Sequence, residues 1–130
     1  MKILFNEHPN KGFQRVGYCS YYGEIFYALE EVCEVTSSCG VPSRTSEFGS
    51  GYDAIVMGFG HTDCGDAGPM PTINDNNIPL FPILNKEYTG LKQKLEWIKN
   101  MKPTAALTVH HDTEEYSKIT GVPFHRIMWS

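Results

Sequence analysis

The sequence predicts one α/β domain whose mostly parallel β-sheet is flanked by helices. Short β-branched or aromatic runs alternate with stretches of helical apolar periodicity, the pattern of βαβ units. The 130 residues suit one hydrophobic core, and 41% hydrophobic with 20% charged residues is ordinary for a globular protein. Neither an internal repeat nor a low-complexity tract interrupts the alternation.

Lys2–Asn6 reads as a buried first strand ending in turn-forming residues. The stretch His8–Ser20 holds Pro9, Gly12 and Gly17 and reads as a loop. Ser20 is placed to cap a helix whose apolar stripe is Ile25, Phe26, Leu29 and Val32. Glu34–Ser37 suits a second strand and Gly40–Gly51 a loop. Tyr52–Phe59, centred on Ala54-Ile55-Val56-Met57, reads as a third, buried strand. Gly60–Asn77 carries no apolar periodicity, and a loop that long in a compact domain is usually functional or disordered.

Ile78–Leu84 reads as a fourth strand, although Pro79 and Pro82 suit strand ends or an irregular edge better than a central position. Glu87–Met101 is the clearest helix, with Leu91, Leu95 and Ile98 on one face and lysines on the other. Thr104–Val109 reads as a fifth strand. Asp112 is placed to cap a short helix over Thr113–Thr120, with Glu115 at the capping-box position and Gly121 at its end. Phe124–Trp129 reads as a last strand. Ile3, Phe5, Ile55, Val56, Leu107 and Val109 are the expected buried strand residues.

The formal charge of −4 and the absence of a long Lys/Arg run argue against nucleic acid or an anionic membrane as partner. No apolar run approaches the about 20 residues that cross a bilayer. The opening apolar run is too short for a signal-peptide core, so a cytoplasmic location is expected. The four cysteines, Cys19, Cys33, Cys39 and Cys64, lack Cys-x-x-Cys spacing and are expected to be free thiols.

Ligands of open α/β sheets bind beyond the carboxyl ends of the strands. That rule selects Asn6–Tyr22, Ser37–Ser50, Gly58–Asn77 and His110–Glu114. The glycines of the first loop are too widely spread for a dinucleotide fingerprint, and the Lys-Ser/Thr ending of a phosphate-cradling loop is absent. NAD and ATP therefore lose their sequence support, and no cofactor is expected. His61, Asp63, Cys64 and Asp66 are potential metal ligands, but their spacing matches no zinc signature and no metal is expected. Cys64 lies between two acids, which disfavours a thiolate and with it cysteine-hydrolase chemistry. A polar loop that hydrogen-bonds a hydroxylated ligand fits this composition better. His110 and His111 follow the fifth strand, at the expected mouth of the sheet.

The stretch Asn85-Lys86-Glu87-Tyr88, then Leu91, Lys94-Leu95 and Ile98-Lys99, then His110-His111-Asp112 and Thr120-Gly121-Val122-Pro123-Phe124, resembles the N-terminal domain of GT-B-type glycosyltransferases. The resemblance is to the family-four-like and spore-maturation-protein-like groups. The resemblance implies that residues 1–130 are a Rossmann-like, acceptor-side half. Its partner would be a donor-binding domain, expected on a separate chain, in a second copy of this chain, or in a part of the enzyme that this chain lacks. The implied ligands are a nucleotide-sugar donor and a hydroxylated acceptor, with no metal required. His110 or His111 would be catalytic, approaching the transferred sugar. Asp63 or Asp66, with His61, would bind acceptor hydroxyls, and Gly12 and Gly17 occupy the loop that lies near the donor phosphates in that family. The rival expectation is a non-catalytic α/β binding or interaction domain.

Overall fold

The computed structural model describes residues 1–8, 20–63 and 68–127, with the backbone alone for 20–24. Six strands form one parallel sheet: β1 (Lys2–Glu7), β2 (Glu34–Cys39), β3 (Ala54–Met57), β4 (Leu80–Leu84), β5 (Ala106–Thr108) and β6 (Phe124–Arg126). Among the described residues three helices accompany them: α1 (Ser20–Glu30), α2 (Leu91–Met101) and α3 (Thr113–Thr120). The strand order is β2-β1-β3-β4-β5-β6. All registered pairs are parallel. This is a Rossmann-like doubly wound sheet in the 2-1-3-4-5 order, whose switch point lies between β1 and β3.

Strands covered on both faces need apolar side chains on both faces, which is why the central strands read as continuous runs. Ile3, Phe5, Ala54, Val56 and Ile83 pack with Phe26 of α1 on one face. Leu4, Ile55, Met57, Leu80 and Leu84 pack with Leu95, Trp97, Ile98 and Met101 of α2 and Tyr116 of α3 on the other. Of the six strand residues expected to be buried, Ile3, Phe5, Ile55 and Val56 are so. Leu107 and Val109 are half-buried because β5 lies towards the β6 edge, and Val109 falls just past its end.

Several local expectations are corrected. Val32 is 78% exposed in the turn after α1, and Cys33 takes its place beside Ile25 and Leu29. Helix α2 begins at Leu91 rather than Glu87, because Lys86 and Gly90 both adopt left-handed backbone, φ 50° and 57°. Lys94 is not on the solvent face. It is buried, and its Nζ donates to the carbonyls of Asn85 (3.1 Å) and Lys86 (2.7 Å). A buried ammonium survives only with such partners, and here it fixes the turn that leads into α2. Neither Asp112 nor Glu115 makes the expected capping bond, since Asp112 caps α3 without a side-chain hydrogen bond.

Pro82 stands in a central strand, contrary to the edge expectation. Alternate residues of a parallel strand bond to opposite neighbours. The Pro79 carbonyl accepts from Ile55 of β3, and the Leu80 carbonyl accepts from Thr104 on the β5 side. Pro82 has the parity of Leu80, so its missing N–H falls on the β5 side. Registered pairing with β5 accordingly begins only at Ile83.

Between β3 and β4 no crossover helix lies among the described residues, in line with the expectation. A single 3-10 turn, Phe59–Thr62, follows β3 instead. Strand β3 ends at Met57, whereas β1 runs on to Glu7 and β4 to Leu84. The turn occupies the resulting notch. Thr62 Oγ1 donates to the Ile83 carbonyl (2.9 Å) and accepts from the Asn85 amide (2.9 Å), taking the place of β3 beside β4.

Thr62 is fully buried, so a valine there leaves two buried backbone groups unpaired at nearly constant volume. Thr62→Val is expected to cost about 1–3 kcal/mol in urea-unfolding measurements. A variant as stable as the wild type would show that the hydroxyl is not needed there.

Candidate functional site at the carboxyl edge of the sheet

At the switch point, Glu7 at the end of β1 is fully buried. Its Oε1 accepts from the amides of His8 (2.8 Å) and Gly60 (2.7 Å). Carboxylates beside backbone N–H groups make strong, short hydrogen bonds. The space for this one exists because residue 58 is glycine: a Cβ there would lie 2.4 Å from Glu7 Oε2.

On the opposite face, Asn6 links neighbouring segments. Its Nδ2 donates to Ser38 Oγ (3.0 Å), and its Oδ1 lies 2.7 Å from His61 Nε2. The His61 ring stacks on Trp97 of α2, with centroids 6.1 Å apart and planes 23° apart, and meets His8 edge-on. Trp97 in turn donates to the Met70 carbonyl (2.9 Å), holding the long loop. His61 is 3% exposed. Burial, aided by the charge of His8 and opposed by a backbone hydrogen bond at Asn6, pushes its pKa down to about 4. At neutral pH it is an uncharged connector inside the edge.

Beyond β4 and β5 the polar groups are paired in a row. Asp63, whose side chain is mostly buried, lies 2.6 Å from Lys86 Nζ. Glu87 Oε1 lies 2.9 Å from His110 Nδ1, and Glu87 Oε2 accepts from the Tyr116 hydroxyl. Burial first, and then Glu87, raises the Tyr116 pKa, so its proton stays on the phenol. The His110 amide donates to Thr108 Oγ1 (3.2 Å). One carboxylate thus orients an imidazole while a phenol holds the carboxylate. With Nδ1–H directed at Glu87, His110 keeps an acceptor at Nε2.

The residues singled out from the sequence fall differently along this edge. Asp63 and His110 lie in the paired row. His61 lies inside, against Asn6 and Trp97. His111 is exposed and lines a shallow polar hollow with Asp112 and the first turn of α3. Gly12, Gly17, Cys64 and Asp66 lie outside the described residues. Cys33 and Cys39 are free thiols. Among the described residues no group of His, Cys, Asp and Glu is arranged to hold a metal ion, and no helix is long and apolar enough to cross a membrane.

Asn85, Lys86 and Glu87 were absent from the loops that the sequence assigned to the carboxyl edge. The sequence pattern predicts Glu87 inside a helix. The left-handed residues that delay α2 free all three to form a loop after β4. Gly90 before the Leu91-Leu95-Ile98 stripe was the available sign of a later helix start.

The depressed His61 pKa has a definite sign. Between its ordinary value near 6.5 and about 4, the unfolded chain binds a proton that the folded chain excludes. The resulting stability is complete above the unfolded value and is lost as pH falls towards 4. Between pH 7 and pH 5, wild type should lose about 2 kcal/mol more than His61→Gln in urea unfolding. Equal losses would show that His61 carries its proton in the folded state.

No protein-family profile, no curated protein and no solved structure matches this chain, and its function is therefore argued from the carboxyl edge itself.

Proposed function

We propose that this domain is the acceptor-side half of a GT-B-type glycosyltransferase, holding a hydroxylated acceptor at the carboxyl ends of β3, β4 and β5. The observation that carries this reading is the Glu87–His110 pair. It fixes an imidazole at the carboxyl edge, where sheets of this kind bind ligands. The charge pattern supports the acceptor side over the donor side. Lys86 and His110 each face a carboxylate, Asp63 and Glu87. Such a balanced edge suits neutral hydroxyls, whereas a nucleoside diphosphate calls for excess positive charge.

In this reading a second domain supplies the nucleotide-sugar donor, and the two halves close a dry cleft around the reacting groups. The acceptor hydroxyl attacks the anomeric carbon as the bond to the diphosphate breaks. His110 contacts the reacting sugar there. Asp63 hydrogen-bonds acceptor hydroxyls. His61 contributes by holding Asn6 and Trp97, and the exposed His111 lines a separate polar hollow with Asp112 and the first turn of α3.

Calorimetric titration of the chain, with and without the donor-binding domain, tests the assignment. The acceptor-side reading expects nucleotide-sugar binding and transfer only in the paired enzyme. In that enzyme His110→Ala should lower transfer by about 10²–10³-fold, the scale for losing one preorganised contact. His111→Ala should stay close to wild type. Transfer that survives His110→Ala unchanged contradicts the site. A domain that binds a protein partner and supports no transfer in any pairing is instead the non-catalytic module.

A further inference from the structure

The segment Gly68–Ile73 runs beside α2, and between the two lies an open cavity of about 260 Å³ that none of the pairs above uses. The segment is held at both ends and in the middle. Gly68, at φ 81°, touches the helix, since a Cβ there would lie 2.9 Å from Gln93 Cβ. The Met70 carbonyl accepts from Trp97 Nε1 (2.9 Å). Thr72 Oγ1 donates to the Pro42 carbonyl (2.9 Å), and Ile73 donates to the Ser43 carbonyl and accepts from the Thr45 amide, both at 2.9 Å. The cavity is therefore part of the fold, and walls fixed in this way cost little ordering when a ligand enters.

The two walls differ in chemistry. On the segment side Pro69, Pro71 and Ile73 offer C–H surface, and the prolines bring no N–H. On the helix side stand Gln93, Glu96 and Asn100, whose i, i+3, i+7 spacing sets them on one face of α2. The two amides donate and accept, and the carboxylate accepts. Among the described residues that line the cavity there is no Lys, Arg or His, so a phosphate or carboxylate group would meet Glu96 with no cation to answer it. Lys92 and Lys99 lie four residues before and three after Glu96 on the same helix, which offsets its charge and leaves a cationic ligand little net attraction. A neutral ring with C–H faces and hydroxyl edges suits both walls. Size narrows the choice further. Gln93 to Asn100 spans about 10 Å of helix, and the volume falls below the about 300–1,000 Å³ of sites for drug-sized ligands. One ring fits, and a nucleotide sugar does not.

We propose that the cavity between Gly68–Ile73 and α2 binds one neutral hydroxylated ring, a pyranose or cyclitol in class, with Gln93, Glu96 and Asn100 hydrogen-bonding its hydroxyls. The site shares no residue with the Glu87–His110 pair, and the inference goes beyond the acceptor-side reading without needing it. Trp97 reports on it, because its indole lines the cavity while its Nε1–H holds the segment at Met70.

The test is nitrogen-15 NMR of the full chain, following the side-chain amides of Gln93 and Asn100 and the Trp97 indole. Methyl α-D-glucopyranoside and myo-inositol are the neutral probes, and glucose 6-phosphate and cyclohexylamine the charged ones. At least one neutral probe should shift all three resonances saturably, with both charged probes weaker. Gln93→Ala and Asn100→Ala should each weaken that binding by about tenfold, the scale of one hydrogen bond. Both positions are exposed on α2, where alanine keeps the helix, so each variant remains folded. If neither neutral probe moves the three resonances, the site is overturned. A charged probe that binds as tightly as the neutral ones overturns it too, as do alanine variants that bind like the wild type. Glycoside shifts confined to His110 and its neighbours support the acceptor-side reading and overturn this site.

Discussion

Strand β3 stops at Met57 while β1 and β4 run past it, and the rest of the carboxyl edge follows from that difference. A notch in the middle of a parallel sheet exposes backbone groups of both flanking strands, and such groups must be paired if they are buried. The Phe59–Thr62 turn fills the notch and meets both sides. On the β1 side Glu7 accepts from the Gly60 amide. On the β4 side Thr62 replaces the missing strand with one hydroxyl that both donates and accepts. A longer β3 would complete the ladder and leave no room for the turn that carries His61 and leads into Asp63.

The same constraint organises the loop after β4. Because Thr62 holds the Asn85 amide and Lys94 holds the carbonyls of Asn85 and Lys86, the chain turns through the left-handed Lys86 before α2 begins. A lysine with φ of 50° is uncommon, and such conformations persist where surrounding contacts over-determine them. The consequence is the row of polar pairs at the carboxyl edge. Lys86 reaches Asp63, and Glu87 reaches His110 and Tyr116. Buried polar groups that serve as scaffolding, namely Glu7, Asn6, Thr62 and Lys94, stand behind those that face a ligand in the proposed reading.

Much of the fold was legible because burial on both faces of a parallel sheet leaves an unambiguous pattern. Ala54-Ile55-Val56-Met57 and Lys2–Asn6 could hardly be anything but central strands, and the lack of a helix among the described residues between β3 and β4 showed in the composition of Gly60–Asn77. Pro82 misled because the rule against proline in central strands concerns a lost donor, and the strand loses only the start of its β5 ladder. Lys94 misled because a helical wheel cannot show that three nearby acceptors wait beneath one lysine. The edge position of His110 followed from strand order alone. Its partner Glu87 did not, since the reach of a side chain from the β4 loop to the β5 loop is a long-range property with no local signature. The neutral, interior role of His61 was hidden for the same reason: Asn6 and Trp97 are distant in sequence.

The geometry at β3 is thus the link between the sheet and the candidate site, and backbone amide hydrogen exchange reads it directly. The Gly60 and Asn85 amides lie outside the strands, yet each is bonded to a buried side chain, Glu7 or Thr62. Native-state exchange should find both protected to the same degree as the Ile55 amide of the central sheet, opening only with the sheet itself. Exchange of these two amides at the rates of an open loop, while Ile55 stays protected, would contradict the account.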